Sequence, residues 1–333
     1  MIRALYAMQD EGLRSALFSG RGRERLGRLG VAAAAGVVTD FDAVPDSILS
    51  GVDVLVTGWG APRLDARTLD RMPRLRLVCH AGGSVKGHLG PEVWERGITV
   101  TSAVHANAVP VAELTLAWVL MACKDVLRAR QLYGERQVFI DREQEFATAG
   151  VYRRTIGIVG ASTIGRLVIE RLRAFDLDLL LYDPTVTSEE AVALGTAKVT
   201  LRDLVQRSDV VTLHAPVLPE TVGMVGAEEL GLMPDGATLV NTARGLLVDH
   251  DALCRELVSG RLSAYLDVTE PEPLPPGDPL YSLPNVLLTP HIAGAMGTEL
   301  QRLGDAAVTE IERHVAGATP LHPVDSEALV LSA

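Results

Sequence analysis

The chain has 333 residues, enough for two domains of ordinary size, each able to bury its own core. A formal net charge of −11 and an aromatic content of 4% argue against a surface that tracks phosphates or stacks exposed bases. The arginine-rich stretch Arg21–Arg25 includes Glu24 and reads as a solvated helix face, so no nucleic-acid partner is expected.

Cys79, Cys123 and Cys254 lie far apart and match no metal-ligand spacing. They read as small apolar core residues in a reducing compartment, and no metal is expected. Asp10 and Glu11 follow closely on the first residues, so no secretory signal is read. The longest apolar run, Val109–Cys123, is interrupted by Glu113 and is too short for a bilayer. A soluble cytoplasmic protein without a membrane partner is the expectation.

In chain order, Ala4–Ala7, Val52–Thr57, Leu75–Cys79 and Ile98–Thr101 are short apolar runs of the kind that form buried strands. Asp65–Arg71 and Pro91–Arg96 between them read as helices. This alternation predicts an α/β fold with a mostly parallel sheet covered on both faces. From Val109, the residues Val111, Leu114, Trp118 and Met121 recur at helical spacing and predict one long packing helix. The polar segment from Leu127 to about Gly150 is long for a connection and suits an arm that reaches a second subunit.

A second alternating unit follows. Its predicted strands are Thr155–Val159, Leu179–Tyr182, Val210–Leu213, Ala237–Asn241, Ala264–Asp267 and Val286–Thr289. Ile164–Phe175 and Asp251–Val258 are helical candidates, and a final helix is expected over about Thr298–Ala316. The proline-rich stretch Pro271–Pro279 reads as an ordered loop.

Gly160-Ala161-Ser162-Thr163-Ile164-Gly165 joins the first strand of this unit to its helix. Free N–H groups at the helix start, together with its dipole, suit a pyrophosphate. Gly160 permits the tight turn and Gly165 lets helix and strand approach, whereas Ser162 stands where a dinucleotide fingerprint has its middle glycine. Asp183 ends the next strand, eighteen residues beyond Gly165. A carboxylate there binds both ribose hydroxyls of NAD and repels the extra phosphate of NADP. NAD is therefore the expected cofactor.

Three later strands end in residues that carry chemistry: Arg244, the acids Asp267, Glu270 and Glu272, and His291. Ligands of open parallel sheets sit beyond these carboxyl ends. His291 would take and return the proton of a C2 hydroxyl, and a carboxylate on its other nitrogen would fix the tautomer. Arg244 would hold a substrate carboxylate and polarise the ketone.

The chain resembles the D-isomer-specific 2-hydroxyacid dehydrogenase family over nearly its whole length. The motifs that carry the resemblance are Val111-Ala112-Glu113-Leu114-Thr115-Leu116, the Gly160–Gly165 turn with Asp183, His214-Ala215-Pro216, Asn241-Thr242-Ala243-Arg244-Gly245, Asp267-Val268 through Glu272-Pro273, and Thr289-Pro290-His291. The resemblance implies a Rossmann-type doubly wound sheet, residues 105–295, inserted into a flavodoxin-like substrate domain made of residues 1–104 and 296–333. It also implies a homodimer built through the coenzyme domains. Carried over by motif, Arg244 binds substrate, His291 is the acid/base and Glu272 its partner, with Glu270 the competing candidate. Thr163, Ile164, His214, Pro216, Thr242, Ala243, Asp267 and Gly294 join the cofactor site, with Asp267 facing the nicotinamide carboxamide. The family's substrate-carboxylate loop, usually Gly-x-Gly followed by an aromatic and an acid or amide, here reads Ala81-Gly82-Gly83-Ser84-Val85-Lys86. In this departure the backbone N–H groups of Gly82, Gly83 and Ser84 could still grip a carboxylate.

The activity so implied is hydride exchange between NAD and C2 of a small D-2-hydroxy or 2-oxo acid, of the glyoxylate or hydroxypyruvate kind. Lys86 stands where the family tends to carry Asp or Asn. It would favour an acidic or phosphorylated substrate, unless it simply points to solvent. Formate-oxidising relatives carry Gln at the place of Glu272 and are disfavoured. Phosphite oxidation is an alternative within the family, and an NAD(H)-sensing protein like the family's corepressors is an alternative of another class.

Overall fold

A computed structural model describes residues 2–326. Two compact units emerge: one combines the chain up to Ala108 with the chain from Ala295 onward, and the other is Val109–Gly294.

The first unit is built on β1 (Ile2–Ala7), β2 (Val31–Ala33), β3 (Val54–Thr57), β4 (Leu77–His80) and β5 (Thr99–Ser102), all parallel, in the order β2-β1-β3-β4-β5. Strands buried on both faces need no polar alternation, and β3 and β4 are buried at every position. One face carries Leu5, Leu55 and Val78, the other Tyr6, Val56 and Cys79. The helix Leu300–Val315 returns to this unit and presses so close to Leu17 that a methyl group at Gly304 would overlap the Leu17 carbonyl. Arg21–Arg25 does lie in a helix, Gly20–Arg28, but Arg25 reaches Glu312 with Nη2 at 2.7 Å from the carboxylate, so that face is partly engaged.

The second unit holds β6 (Arg154–Val159), β7 (Leu177–Tyr182), β8 (Ala197–Lys198), β9 (Val210–Leu213), β10 (Thr238–Asn241), β11 (Ser263–Leu266) and β12 (Val286–Leu288). All are parallel, in the order β12-β11-β10-β9-β6-β7-β8. The order reverses between β6 and β9, which is the Rossmann arrangement and puts a ligand crevice at the ends of those two strands. The expected α/β class, a Rossmann-type sheet with a flavodoxin-like one, is the one observed.

Strands β2 and β8 have no counterpart among the expected strands, and two further segments differ from the sequence reading. The helix expected from Val109 begins at Val104 and runs to Cys123, with Pro110 inside it. Its 20 residues make it long and apolar enough to cross a membrane by length and composition, but half of its apolar window is buried inside the protein. Val111, Ala112, Thr115, Trp118 and Val119 form that buried face, as in a core helix. The segment read as a long connecting arm is largely helical, with Val126–Arg136 followed by Arg142–Glu145. Arg128 and Arg136 both pair with Glu145 and fold the second helix back on the first.

Candidate active site

The turn after β6 is shaped by close backbone approach. Gly160 has φ +97°, and a side chain there would come within 2.7 Å of the Ala215 amide nitrogen at the end of β9. Gly165 sits so near Gly160 that an added methyl would overlap its carbonyl. Ser162, in contrast, has extended backbone (φ −60°, ψ 178°) that suits any residue, and its Oγ caps the helix Thr163–Leu172 by accepting from the Gly165 amide at 3.4 Å. The substitution thus exchanges a glycine for a helix cap. The first intrahelical bond runs from the Arg166 amide to the Ser162 carbonyl at 2.9 Å, so the amides of Thr163 and Ile164 precede the ladder and face outward for an anion.

Asp183, at the end of β7, holds this turn from the side. One oxygen accepts from the Ala161 amide at 2.7 Å, and the other from the Thr185 amide and hydroxyl at 2.8 and 2.6 Å. Burial pushes its pKa up, but the bonds from Thr185 and Ala161, with Arg166 nearby, outweigh that and hold it below the ordinary carboxylate value. The group is anionic at neutral pH and keeps acceptor capacity for ribose hydroxyls. These features fit a dinucleotide: a cradle a Cβ would fill, outward amides at a helix start, and an acid on the neighbouring strand.

His214 and Pro216 follow β9. The His214 ring is buried, with Nε2 at 3.0 Å from Thr212 Oγ1, and its Cβ lies against Gly165. Its side chain therefore supports the turn from beneath. Burial lowers its pKa to about 3. The Pro216 carbonyl accepts from the Thr221 hydroxyl at 2.7 Å.

Three strand-end loops then meet. After β10, the Asn241 side chain accepts from the Ala243 amide at 3.0 Å and donates to the Arg244 carbonyl at 2.9 Å. That closes a turn which presents Arg244. Thr242 is buried and bonds Thr115 of the long helix at 2.8 Å. Burial lowers the Arg244 pKa, the charge of Glu272 raises it, and guanidinium remains charged throughout the working range. Gly245 lies against the Thr269–Glu270 backbone, where any side chain would clash, so this loop and the one after β11 touch through main chain.

Asp267, which ends β11, is buried. Its carboxylate accepts from Thr289 Oγ1 at 2.6 Å, the Ile292 amide at 2.7 Å and the Ala293 amide at 2.8 Å. Those bonds close a loop around His291, whose backbone is left-handed at φ +56°. For a residue with a Cβ this costs roughly 1–2 kcal/mol. His291 Nδ1 lies 2.9 Å from Glu272 Oε1, and both side chains stay partly open to solvent, 49% and 41% exposed. Glu272 is thus the carboxylate that meets the imidazole. A cleft of about 740 Å³ opens beside this pair, lined by Asp267, Leu274, Tyr281, Leu288 and Pro290 among others. Gly294 is the last residue of the unit.

The loop Gly82–Ser84 belongs to the first unit. Gly82 lies over the buried ring of His80, and Gly83 beside the Asn107 side chain. Lys86 is exposed, and its amide donates to Ser84 Oγ at 3.3 Å. Beneath the loop, Thr57 Oγ1 is 2.9 Å from His80 Nδ1 and 3.5 Å from His88 Nε2. Burial, and secondarily His88, pushes His80 down to about 3, and burial pushes His88 down to about 4. Both rings are neutral at physiological pH.

Among positions that sequence reasoning left without a role, Asn241, Gly245, Thr115 and Thr185 shape the site through neighbours. Asn241 and Gly245 flank Arg244 in a motif already singled out, which was the available signal. Thr115 lies within the Val111–Leu116 motif, though its partner Thr242 is remote in the chain, whereas Thr185, two residues from Asp183, stood in no motif.

Residues 116–293 match the sequence model of the D-isomer specific 2-hydroxyacid dehydrogenase, NAD binding domain. A glyoxylate reductase of Korarchaeum cryptofilum is 34% identical over 83% of this chain and 84% of its own length. A D-3-phosphoglycerate dehydrogenase of Methanocaldococcus jannaschii is 34% identical over 79% of this chain, which spans about half (49%) of that relative. The crystal structure of D-lactate dehydrogenase from Aquifex aeolicus, complexed with NAD and lactic acid, superposes with a TM-score of 0.69 at 28% identity, covering 95% of this chain and 96% of that one. The fold and the dinucleotide turn define an NAD-binding dehydrogenase architecture. The chain belongs to the D-isomer-specific 2-hydroxyacid dehydrogenase family.

The buried histidines set a pH dependence. His80, His88 and His214 titrate in the folded chain at about 3, 4 and 3 respectively, against 6.5 when free. Below about pH 6.5 the unfolded chain takes up protons that the folded chain refuses. Stability is therefore full above that pH and falls as pH drops toward the folded values, by up to about 1.4 kcal/mol per pH unit for each histidine. Melting curves between pH 7 and pH 4.5 are expected to show this slope, and His214→Gln should flatten it by about one histidine's share. An equally steep decline in that variant would contradict the assignment of a neutral buried ring.

Proposed function

We propose that the chain is an NAD-dependent oxidoreductase that exchanges a hydride between nicotinamide and C2 of a small D-2-hydroxy or 2-oxo acid, with glyoxylate and hydroxypyruvate the first candidates. The reading rests above all on the 2.9 Å contact of His291 Nδ1 with Glu272, beside Arg244. The glyoxylate reductase among the relatives supports the choice of substrate class. The glycine cradle, Thr163, Ile164 and Asp183 would hold NAD, which supplies the hydride-exchanging ring when bound.

Each protein group then has one task. Arg244 binds the substrate carboxylate through charge-assisted bonds and draws electron density from the C2 oxygen. His291 Nε2 takes the C2 hydroxyl proton in oxidation and returns it in reduction. Glu272 accepts from Nδ1–H, which keeps the Nε2 lone pair directed to the substrate and stabilises the imidazolium once formed. Asp267 acts at one remove, by fixing the loop that carries His291.

We also propose that the chain pairs with a second copy through residues 127–150. Tyr133, Val138 and Phe139 are 65%, 57% and 87% exposed there, and with Ile140 and Phe146 they line an apolar groove. Such a concentration of exposed large apolar side chains is unusual on a free monomer.

A panel of 2-oxo acids with NADH, followed by loss of nicotinamide absorbance, should reveal turnover. His291→Ala should lower it by roughly two to four orders of magnitude while NADH binding persists; near-normal turnover would refute the acid/base role. Asp183→Ala should narrow the preference for NADH over NADPH about tenfold, the equivalent of ~1.4 kcal/mol, and an unchanged ratio would assign that preference elsewhere. Sedimentation should find a dimer that Phe139→Asp converts toward monomer, and a wild-type monomer at micromolar concentration would remove the pairing.

A further inference from the structure

The helix His250–Val258 and the proline-rich loop after β11 bring together three side chains that the proposed reaction does not use. His250 and Cys254 are four residues apart, on one helix face. Asp278 comes from the loop, 24 residues beyond Cys254. His250 Nε2 lies 3.1 Å from Asp278 Oδ2, and Cys254 Sγ lies 3.3 Å from the same nitrogen. All three donor atoms fall within 4.8 Å of one another, and all three residues are half-buried.

Protons alone serve this arrangement poorly. One imidazole nitrogen is aimed at by both a carboxylate oxygen and a sulfur. If Nε2 carries hydrogen, Asp278 uses it and the thiol donates nothing to the ring. If Nε2 is bare, it accepts from the thiol but confronts the carboxylate lone pairs. Three electron-pair donors around a single point are instead the surroundings of a cation. Around a tetrahedral zinc ion, with bonds of ~2.0–2.2 Å to N and O and ~2.3 Å to S, donors are separated by roughly 3.3–3.6 Å. The two pairs that share Nε2, at 3.1 and 3.3 Å, need only a few tenths of an ångström of opening, and sulfur and carboxylate oxygen lie within 4.8 Å of each other.

The surroundings are suited to it as well. Asp278 Oδ1 is occupied by the Leu280 amide at 2.9 Å, which orients the carboxylate and leaves Oδ2 as the ligand atom. The side chains of His250 and Asp278 are 23% and 11% exposed, shielded yet reachable from solvent. Cys254 is the accessible thiol, since Cys79 and Cys123 are buried. Cys254 packs half-buried against the core of its unit, as expected, and in addition faces two polar side chains.

We propose that His250, Cys254 and Asp278 form a three-ligand site for one divalent cation of the zinc type, with a water in the fourth position. Mixed nitrogen, sulfur and oxygen ligation favours Zn2+ over Mg2+ or Ca2+, which take oxygen. On binding, the thiol proton passes to solvent as the sulfur–metal bond forms, with no change of oxidation state. The metal joins the helix that follows the Arg244 turn to the loop that carries Glu272. Its role is to staple those two segments, and it stands apart from the proposed hydride exchange.

The test uses the whole chain, stripped of metal by a chelator that is then dialysed away. Cobalt(II) titration should develop a near-ultraviolet sulfur-to-cobalt charge-transfer band that saturates near one equivalent per chain and is abolished by added zinc. Cys254→Ser should remove the band, and Asp278→Asn should weaken binding at least roughly tenfold. In the unmodified protein, zinc should raise the melting temperature in proportion to the logarithm of its concentration and protect Cys254 from alkylation by iodoacetamide. This last measurement needs no variant to fold. Cobalt spectra that stay those of the free ion, a band undiminished in Cys254→Ser, or alkylation indifferent to zinc would each overturn the site and leave a hydrogen-bonded triad in its place.

Discussion

The geometry around His291 depends on one buried carboxylate. Asp267 draws the Thr289 hydroxyl and the amides of Ile292 and Ala293 onto itself from the segment after β12. Burying such a group costs several kcal/mol, and three bonds to it return ~1.5–3 kcal/mol each when it is charged. The loop is tied at three points, and His291 adopts a left-handed backbone within it. Loss of the Asp267 carboxylate would strand buried amides and release the strained residue together, so position and stability are coupled at this point.

Close approach of main chain to main chain plays the corresponding part elsewhere in the second unit. Gly160 lets the turn after β6 touch the end of β9, Gly165 lets the helix sit on that turn, and Gly245 lets the Arg244 loop rest on the segment leading to Glu272. At each place even one methyl group would separate pieces that must act together. Ser162 is informative by contrast. Its backbone is ordinary, so the glycine expected there was dispensable, and the hydroxyl that replaced it satisfies a helix amide.

The same economy governs the buried histidines. His80, His88 and His214 are held neutral by desolvation and lie under loops that the family resemblance had assigned to ligands. They serve as shaped, weakly polar packing, whereas His291 stands half-exposed beside a carboxylate. Four imidazoles of one chemistry are thus divided by environment into buried support and an open, carboxylate-paired ring.

Much of this was legible in the sequence, because local rules encode it. Apolar runs alternating with helical periodicity pointed to the two parallel sheets, and the glycine turn followed by Asp183 pointed to a dinucleotide-binding unit. Arg244, the acids near Glu272 and His291 declared themselves by ending successive strands. What required the tertiary structure were relations between residues distant along the chain. The choice of Glu272 over Glu270 depended on the path of one loop. The extension of the long helix to Val104 lay outside its apolar run. Asp267 as clamp, and the meeting of His250 and Cys254 with Asp278, arise only when separate segments are brought within hydrogen-bonding distance. Side-chain type and period are properties of a segment, but contact across segments is a property of the packed fold, and it decided the chemistry at these points.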